Sequence, residues 1–213
     1  MSATIIVTGT DTDIGKTVFC AGLTAFLDGV YWKPIQAGQV GPTDTETVRR
    51  LSGLDDSRFI REAWSLRMPA SPHWAAELDE VAIDPAALKL PVTERPLVVE
   101  GAGGLLVPIT RQCLQIEVFA RWAAPVVLCA RTSLGTLNHT LLSIEALKNR
   151  AIPLLGVVLI GSPHRDNERT LAEFGGVHIL GRLPYIDPLT PESLAYAFAR
   201  SFCRDHFLTC HSR

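Results

Sequence analysis

One strand, turn and helix pattern near the N-terminus constrains the fold of this chain more than any other feature. The apolar run Thr4–Thr8 has the composition of a strand buried on both faces. A polar turn follows it, and Gly15-Lys16-Thr17 opens a segment with helical spacing that extends to Leu27. This order places backbone N–H groups and the positive end of a helix at one point, where they bind phosphate.

The turn is a variant of the common phosphate-binding loop. Thr10 stands where that pattern has its first glycine, and Gly9 precedes it. The ammonium group of Lys16 suits the outer phosphates of a nucleotide, and the hydroxyl of Thr17 suits Mg²⁺. The alternative is an ordinary turn with a lysine at the helix start, but the strand context and the Gly-Lys-Thr triplet favour nucleotide binding. We expect these residues to contact the nucleotide: Thr12, Asp13, Ile14, Gly15, Lys16, Thr17 and Val18.

Short apolar runs alternate with helical segments along the rest of the chain, which is typical of βαβ units. The further predicted strands are Val30–Trp32, Leu97–Val99, Pro125–Ala130, Leu154–Ile160 and His178–Leu183, with a weaker one within Ile60–Leu66. The predicted helices are Lys16–Leu27, Thr45–Leu51, Leu114–Trp122, Asn138–Lys148, Asn167–Phe174 and Glu192–Arg204. We expect an α/β P-loop NTPase fold, with a mostly parallel central sheet of about seven strands flanked by helices.

Length and composition indicate a single domain over residues 1–213. Two connections, Gly38–Thr45 and Arg67–Val92, are too long for a minimal α/β repeat, and long connections tend to be functional. Residues Thr209–Arg213 have the composition of a frayed tail.

Charge and cysteine content limit the partners and the compartment. The formal net charge is -2 and the pI is about 6.3, so the chain lacks the basic face that binds nucleic acid or an anionic membrane. The five cysteines are odd in number and lack metal-type spacing. Without a secretory signal pattern or a membrane-length apolar run, we expect reduced thiols and a cytoplasmic location.

Two carboxylates and a second lysine are placed to join the phosphate loop. Glu100 follows the predicted strand Leu97–Val99 and opens a glycine-rich run, so it is expected at the carboxyl edge of the sheet. Asp44 follows the second strand and fits either a metal ligand or a helix N-cap. Lys33 also follows a strand, and it fits either a catalytic cation or a solvated lysine. The alternative for Glu100 is a surface carboxylate at the end of a strand.

Six motifs occur in the order found in the dethiobiotin synthetase family, which the chain resembles. They are Gly9–Thr17, Lys33–Gly38, Asp44, Pro69–His73, Val99–Gly104 and Leu134–His139. The resemblance implies an ATP-dependent cyclo-ligase of biotin biosynthesis. One amine of 7,8-diaminononanoate captures CO₂ as a carbamate, ATP phosphorylates the carbamate, and the second amine displaces phosphate to close a ureido ring.

The resemblance also implies roles for residues at matching positions. Thr17, Asp44 and Glu100 would hold Mg²⁺, while Lys16 and Lys33 would be catalytic. The other implied nucleotide contacts are Gly101, Ala102, Gly103, Ile160, Gly161, Leu183, Pro184 and Tyr185. The implied substrate contacts are Lys33, Ala37, Thr136, Leu137 and Asn138, of which the last three would hold the substrate carboxylate across a homodimer interface. For Thr136 and Asn138 the alternative is a plain helix N-cap.

Three positions depart from the family pattern. Asp13 replaces a glutamate commonly found in the loop, which keeps the charge but shortens its reach. Ala37 replaces a serine or threonine whose hydroxyl contacts substrate in the family, so a backbone group, Gln36 or water would have to compensate. Ile160 replaces an asparagine that reads adenine, and isoleucine forms no hydrogen bonds through its side chain. We therefore expect relaxed base discrimination, with CTP or another triphosphate usable in place of ATP.

Three other readings compete with the synthetase. A partition or septum-positioning ATPase would carry a signature lysine at the position of Asp11, and the aspartate argues against that class. Amidotransferase-linked synthetases need an additional glutamine-hydrolysing domain, which 213 residues do not accommodate. A degenerate paralogue that binds nucleotide without turnover is the third reading, and Ala37 and Ile160 keep it open.

Overall fold

The computed structural model describes residues 2–208, so the predicted tail Thr209–Arg213 lies outside the described residues. The described residues contain nine strands: β1 Thr4–Gly9, β2 Val30–Trp32, β3 Ile35–Ala37, β4 Phe59–Ile60, β5 Trp64–Leu66, β6 Leu97–Gly104, β7 Val126–Arg131, β8 Leu154–Ile160 and β9 Ile179–Leu183. The α-helices of this part of the chain are α1 Lys16–Leu27, α2 Asp44–Ser52, α3 Pro72–Leu78, α4 Gln115–Trp122, α5 Thr136–Lys148, α6 Arg165–Gly175, α7 Pro191–Ser201 and α8 Asp205–Leu208.

Seven strands form one parallel sheet in the order β4-β2-β6-β1-β7-β8-β9. Alternate residues of each strand point to opposite faces, so Ile5 and Val7 pack into one apolar cluster and Ile6 into another. Helices α1, α2 and α7 cover the first face, while α4, α5 and α6 cover the second. This confirms the predicted α/β class and the seven-stranded sheet, and it explains why the strands read as nearly continuous apolar runs.

Several predicted boundaries were wrong. The strand predicted to end at Val99 continues to Gly104, because the glycine run still pairs with β1 through the register of Gly9 with Gly104. The last predicted helix ends at Ser201, where Phe202 becomes extended and packs into the core, and a short α8 follows. Apart from the stretch Ile60–Leu66, the other predicted strands and helices differ from the structure by at most two residues at either end.

The stretch Ile60–Leu66 is not one strand. Its ends belong to different sheets: β4 pairs with β2 at the edge of the main sheet, and β5 pairs with β3 in a separate two-stranded sheet. Strand β5 is the short strand predicted within Ile60–Leu66, whereas β3 and α3 had no counterpart in the sequence prediction. They lie beside the phosphate loop and build one wall of the cavity described below.

No helix within residues 2–208 is both long enough and apolar enough to cross a membrane.

Candidate active site

A cavity of about 800 Å³ lies at the carboxyl ends of the central strands. The phosphate loop, the segment after β2 and the second half of β6 all contribute to its lining. The predicted site residues along its lining are Thr12, Asp13, Gly15, Lys16, Thr17, Val18, Lys33, Ala37, Asp44, Glu100, Ala102 and Gly103. Ligands of open α/β sheets bind at this edge, and the fold brings most of the predicted residues to it.

The phosphate loop turns sharply between β1 and α1. Asp13 and Gly15 both adopt left-handed backbone conformations, with φ of 55° and 95°. Strain of this kind in a non-glycine residue concentrates at ligand-binding turns. Lys16 begins the helix and is buried, and its Nζ donates to the carbonyl oxygen of Asp11 at 2.8 Å. The lysine is therefore folded back over its own loop.

Lys33 lies between two carboxylates. Its Nζ is 2.6 Å from Asp44 Oδ2 and 3.2 Å from Glu100 Oε1, and it donates to the carbonyl oxygen of Gly101 at 3.2 Å. Strands β2 and β6 are neighbours, with Trp32 opposite Val99. Lys33 follows Trp32 and Glu100 follows Val99, so the pairing of the two strands brings Lys33 and Glu100 together. Lys33 is 3% exposed and Glu100 is 1% exposed. The alternatives of a solvated lysine and a surface carboxylate are therefore wrong.

Asp44 is not a helix N-cap. Thr43 caps α2, because its hydroxyl accepts from the backbone N–H of Glu46 and the Glu46 side chain accepts in return. Asp44 is the first residue of the helix, and its backbone N–H donates to Gln36 Oε1 at 3.1 Å. Its carboxylate is thereby left to face Lys33 and Thr17.

Burial and pairing set the protonation states in this cluster. Burial alone would lower the pKa of Lys33, but the charges of Glu100 and Asp44 outweigh it and hold the pKa above its ordinary value. Burial would raise the pKa of Asp44, and Lys33 outweighs it and lowers that pKa. Burial lowers the pKa of Lys16, with Glu100 acting in the opposite direction. Lys33 is thus a fixed cation and has no tendency to act as a base.

The hydroxyl oxygen of Thr17 lies close to one oxygen of each carboxylate. Thr17 Oγ1 lies 3.0 Å from Asp44 Oδ1 and 2.9 Å from Glu100 Oε1. Mg²⁺ prefers oxygen donors and is usually held by one or two carboxylates together with substrate phosphates and water. A hydroxyl and two carboxylates beside a phosphate loop fit that requirement.

A second cavity of about 360 Å³ adjoins the other side of the loop, and most of its lining residues are apolar, although Asp13, Arg131 and Ser133 also line it. The predicted residues Ile160, Leu183, Pro184 and Tyr185 line it together with Ile14, Gly15 and Val18. Ile160 packs against the loop itself, since a β-carbon added at Gly15 would lie 3.1 Å from its Cγ2. Gly161 is not among the lining residues. Its N–H donates to the carbonyl oxygen of Leu183, and its own carbonyl oxygen accepts from Arg182.

The three residues predicted to hold the substrate carboxylate lie apart from these cavities. Thr136, Leu137 and Asn138 are at the start of α5 and are absent from the lining of either cavity. The N-cap is Gly135, so the alternative that Thr136 or Asn138 caps the helix is wrong. The Thr136 hydroxyl instead donates to the carbonyl oxygen of Arg131.

Sequence reasoning named no role for several residues that the structure places at the cavities. Pro69, Ala70, Ser71 and Pro72 line the larger one; their motif was part of the family resemblance and was the available signal. Arg131 lines the smaller one and reaches Asp11 Oδ2 at 3.1 Å. It ends β7, so the rule that pointed to Glu100 would have found it.

Fold and site together define a P-loop nucleotide-binding protein with a buried lysine and two carboxylates at its phosphate end. The family described as an AAA domain matches residues 3–193. An ATP-dependent dethiobiotin synthetase of Rhodopseudomonas palustris (strain BisB5) is 60% identical over 208 residues, covering 98% of each chain. The enzyme of that name from Agrobacterium fabrum is 55% identical over 208 residues, again covering 98% of each chain. The chain belongs to the ATP-dependent dethiobiotin synthetase family.

Solved structures with similar folds are more distant. The septum site-determining protein MinD of Pyrococcus horikoshii, solved with Mg-ADP, has a TM-score of 0.54 at 15% identity, covering 93% of this chain and 87% of its own. A ParA family ATPase of Chlorobium tepidum has a TM-score of 0.50 at 12% identity, covering 94% and 93%. At these identities the likeness shows the fold alone, and the synthetase relatives outweigh the switch-ATPase alternative.

Proposed function

We propose that this chain is an ATP-dependent dethiobiotin synthetase. It converts 7,8-diaminononanoate, CO₂ and a nucleoside triphosphate into dethiobiotin, nucleoside diphosphate and phosphate. The observation that carries the proposal is the cluster of buried Lys33 and Glu100 with the partly buried Asp44 and Thr17 beside the phosphate loop. A cation and an oxygen-donor set beside the phosphate loop support phosphoryl transfer from the outer phosphate of a bound nucleotide.

The reaction needs no protein nucleophile. One substrate amine attacks CO₂ and loses a proton to give a carbamate. A carbamate oxygen then attacks the γ-phosphorus as the bond to the nucleoside diphosphate breaks, and the second amine attacks the carbonyl carbon and expels phosphate. The protein contributes position and charge, which are the main sources of catalysis in phosphoryl transfer.

Two lysines are proposed as the catalytic residues. Lys33 remains protonated because two carboxylates flank it, so it can neutralise the carbamate and the transferring phosphoryl group throughout the reaction. Lys16 lines the same cavity from the phosphate loop. Its present bond is to a loop carbonyl oxygen, and the bound phosphates would replace that acceptor.

Thr17, Asp44 and Glu100 are proposed to hold Mg²⁺. The ion, when bound, would neutralise charge on the outer phosphates. The thiol of Cys20 does not compete for this role: burial raises its pKa well above the ordinary value, so the uncharged thiol is a poor magnesium ligand.

The nucleotide base is proposed to occupy the smaller cavity between the loop and the ends of β8 and β9. Ile160, Leu183 and Pro184 give it apolar walls, and the exposed Tyr185 stands at its edge. Walls of this kind favour any planar ring and discriminate weakly between bases. ATP is the expected co-substrate, with CTP and other triphosphates accepted.

A homodimer is proposed to complete the substrate site. Leu134, Leu106 and Leu142 are exposed on the side of the molecule that carries the start of α5. Leu106 and Leu142 also line an open hollow of about 510 Å³ that includes Asp11 and Thr12 of the phosphate loop. A second copy on this face would bury apolar surface and carry its Thr136–Asn138 segment toward the substrate. The test compares the mass of the native chain with that of Leu142→Glu by sedimentation. The same mass for both proteins would contradict the proposed dimer.

A cytoplasmic location is proposed on the chemistry of the cysteines. Within the described residues, Cys20, Cys113, Cys129 and Cys203 are all free thiols, as expected in a reducing compartment. Cys210 lies outside the described residues.

The test of the main proposal is formation of the cyclised product. The purified chain is incubated with 7,8-diaminononanoate, ¹³C-bicarbonate, Mg²⁺ and one of four nucleoside triphosphates. We expect dethiobiotin with the label in its ureido carbonyl, and one phosphate released per ring closed. Absence of product with every nucleotide, while the nucleotides still bind, would instead support the degenerate paralogue.

A further inference from the structure

Tyr31 is a buried tyrosine behind the acidic side of the site. It is the middle residue of β2, its exposed fraction is 0%, and its ring lies 6.4 Å from that of Phe59. Its hydroxyl donates to Glu100 Oε2 at 2.9 Å. Phenylalanine would fill the same space, so what the hydroxyl adds is its hydrogen bond to the Glu100 carboxylate.

Glu100 receives donors on both of its oxygens, and the two sides differ. Thr17 and Lys33 reach Oε1, and both of them line the larger cavity. Tyr31 reaches Oε2, and it belongs to the apolar cluster on the α1 face of the sheet. The buried thiol of Cys20, in the same cluster, also forms a hydrogen bond with Glu100. The carboxylate is therefore held with one oxygen toward the cavity and the other toward the core.

The donors on the cavity side are those that a bound nucleotide would draw away. The Thr17 hydroxyl is expected to turn its lone pair to a metal ion, and Lys33 is expected to turn toward the transferring phosphoryl group. Tyr31 has no such competing partner, because it lies in the core. Its hydrogen bond would persist through the reaction cycle and keep the carboxylate from rotating.

We propose that Tyr31 is a positioning residue that fixes the rotation of the Glu100 carboxylate and presents Oε1 to the divalent cation of the nucleotide. The proposal rests on the proposed function only in taking Glu100 as a cation ligand. Hydrogen-bond partners of metal ligands typically change metal affinity or activity by about 10- to 100-fold when removed. Removal of the donor also leaves a buried carboxylate oxygen without its partner.

The test measures cation binding directly, with Mn²⁺ as the probe. Mn²⁺ is titrated by electron paramagnetic resonance into native protein, Tyr31→Phe and Phe59→Leu, each saturated with a non-hydrolysable ATP analogue. We expect about tenfold weaker Mn²⁺ binding in Tyr31→Phe and native binding in Phe59→Leu, which alters packing around Tyr31 without touching Glu100. Native or tighter binding in Tyr31→Phe, or an equal loss in Phe59→Leu, would overturn the proposal.

A double variant shows whether the effect passes through Glu100. Adding Tyr31→Phe to Glu100→Gln should weaken Mn²⁺ binding no further, and an additional tenfold loss would contradict the mechanism.

A second measurement applies if Tyr31→Phe does not fold. Replacing Tyr185 and Tyr196 by phenylalanine leaves Tyr31 as the one tyrosine of the chain, so this protein labelled with 3-fluorotyrosine carries one ¹⁹F signal, from Tyr31. That signal should shift on addition of Mg²⁺ and the analogue, and it should not shift when Glu100→Gln is present. None of these readouts requires diaminononanoate, so failure of the synthetase assay leaves them interpretable.

Discussion

The two cavities on either side of the phosphate loop are built by opposite means. The larger is defined by charge: the Lys33 ammonium lies between two carboxylates, 2.6 Å from Asp44 and 3.2 Å from Glu100. The smaller is defined by shape, with Ile160 and Leu183 among its walls. Charged groups in a buried site act on specific atoms at fixed distances, whereas apolar walls accept any ring of suitable size.

This contrast indicates which cavity should tolerate substitution and which should not. The phosphoryl end should tolerate almost no change, because Lys33 is the charged partner of both Asp44 and Glu100. The base end should tolerate substitution and alternative nucleotides. Four predictions follow the contrast from its strongest consequence to its weakest.

Loss of Lys33 should have the largest effect. In Lys33→Ala the transferring phosphoryl group loses its fixed cation, and diamine-dependent phosphate release should fall by about 10³-fold. Nucleotide binding should be largely kept, because the loop is intact. Phosphate release and nucleotide affinity are measured together, with the exposed Lys89→Ala as control. Unchanged turnover in Lys33→Ala would show that the cluster is structural only.

Removal of the Thr17 hydroxyl should have the next largest effect. Thr17→Val keeps the shape of the side chain and removes one of three oxygens, so turnover should fall on the order of 10²-fold. Thr17→Ser keeps the hydroxyl and should stay near the native rate. The measurement is turnover across a Mg²⁺ series, and chelation of Mg²⁺ should abolish activity in all three proteins. Equal rates for the valine and serine variants would argue against a metal role.

An asparagine at position 160, in the smaller cavity, should have a moderate effect on nucleotide preference. The native chain should use ATP, CTP, GTP and UTP within about tenfold of one another in kcat/KM. Ile160→Asn offers a hydrogen-bonding group and should raise the preference for ATP over CTP by about tenfold. The ratio is independent of the folded fraction, which matters because Ile160 also packs against the loop. Ile160→Val is the matched control and should keep the native ratio; a native ratio in Ile160→Asn would place the base elsewhere.

The smallest effect concerns stability and pH. Lys33 lowers the pKa of Asp44 in the folded state despite its burial, so the carboxylate stabilises the fold above its unfolded pKa of about 3.9. This contribution should be lost as the pH falls through the folded pKa. The difference in unfolding free energy between native protein and Asp44→Asn should therefore shrink from pH 7 to pH 3. The effect is modest because the Asp44 side chain is 32% exposed.

Urea unfolding at both pH values measures this difference. Asp166→Asn, which alters an exposed pair with Arg169, is the control and should show little change with pH. A difference for Asp44→Asn that grows toward low pH would contradict the sign.

Much of the fold could be read from local patterns. The helix Lys16–Leu27 and the strand Leu154–Ile160 were predicted with the bounds that the structure shows, because strands buried on both faces and a glycine-led helix start leave strong local signals. Strand β3 left none, since it has three residues and pairs with β5 across a long separation in sequence.

The sequence by itself determined the phosphate loop, the apolar character of the base cavity and the charged residues that follow the strands. These properties depend on residue type and on near neighbours in the chain. Only the tertiary structure decided that Glu100 is buried within a longer strand, that Thr43 and not Asp44 caps α2, and that Tyr31 reaches the carboxylate from the core. Those facts depend on which strands are neighbours in the sheet, and the pairing of β2 with β6 joins residues 67 positions apart.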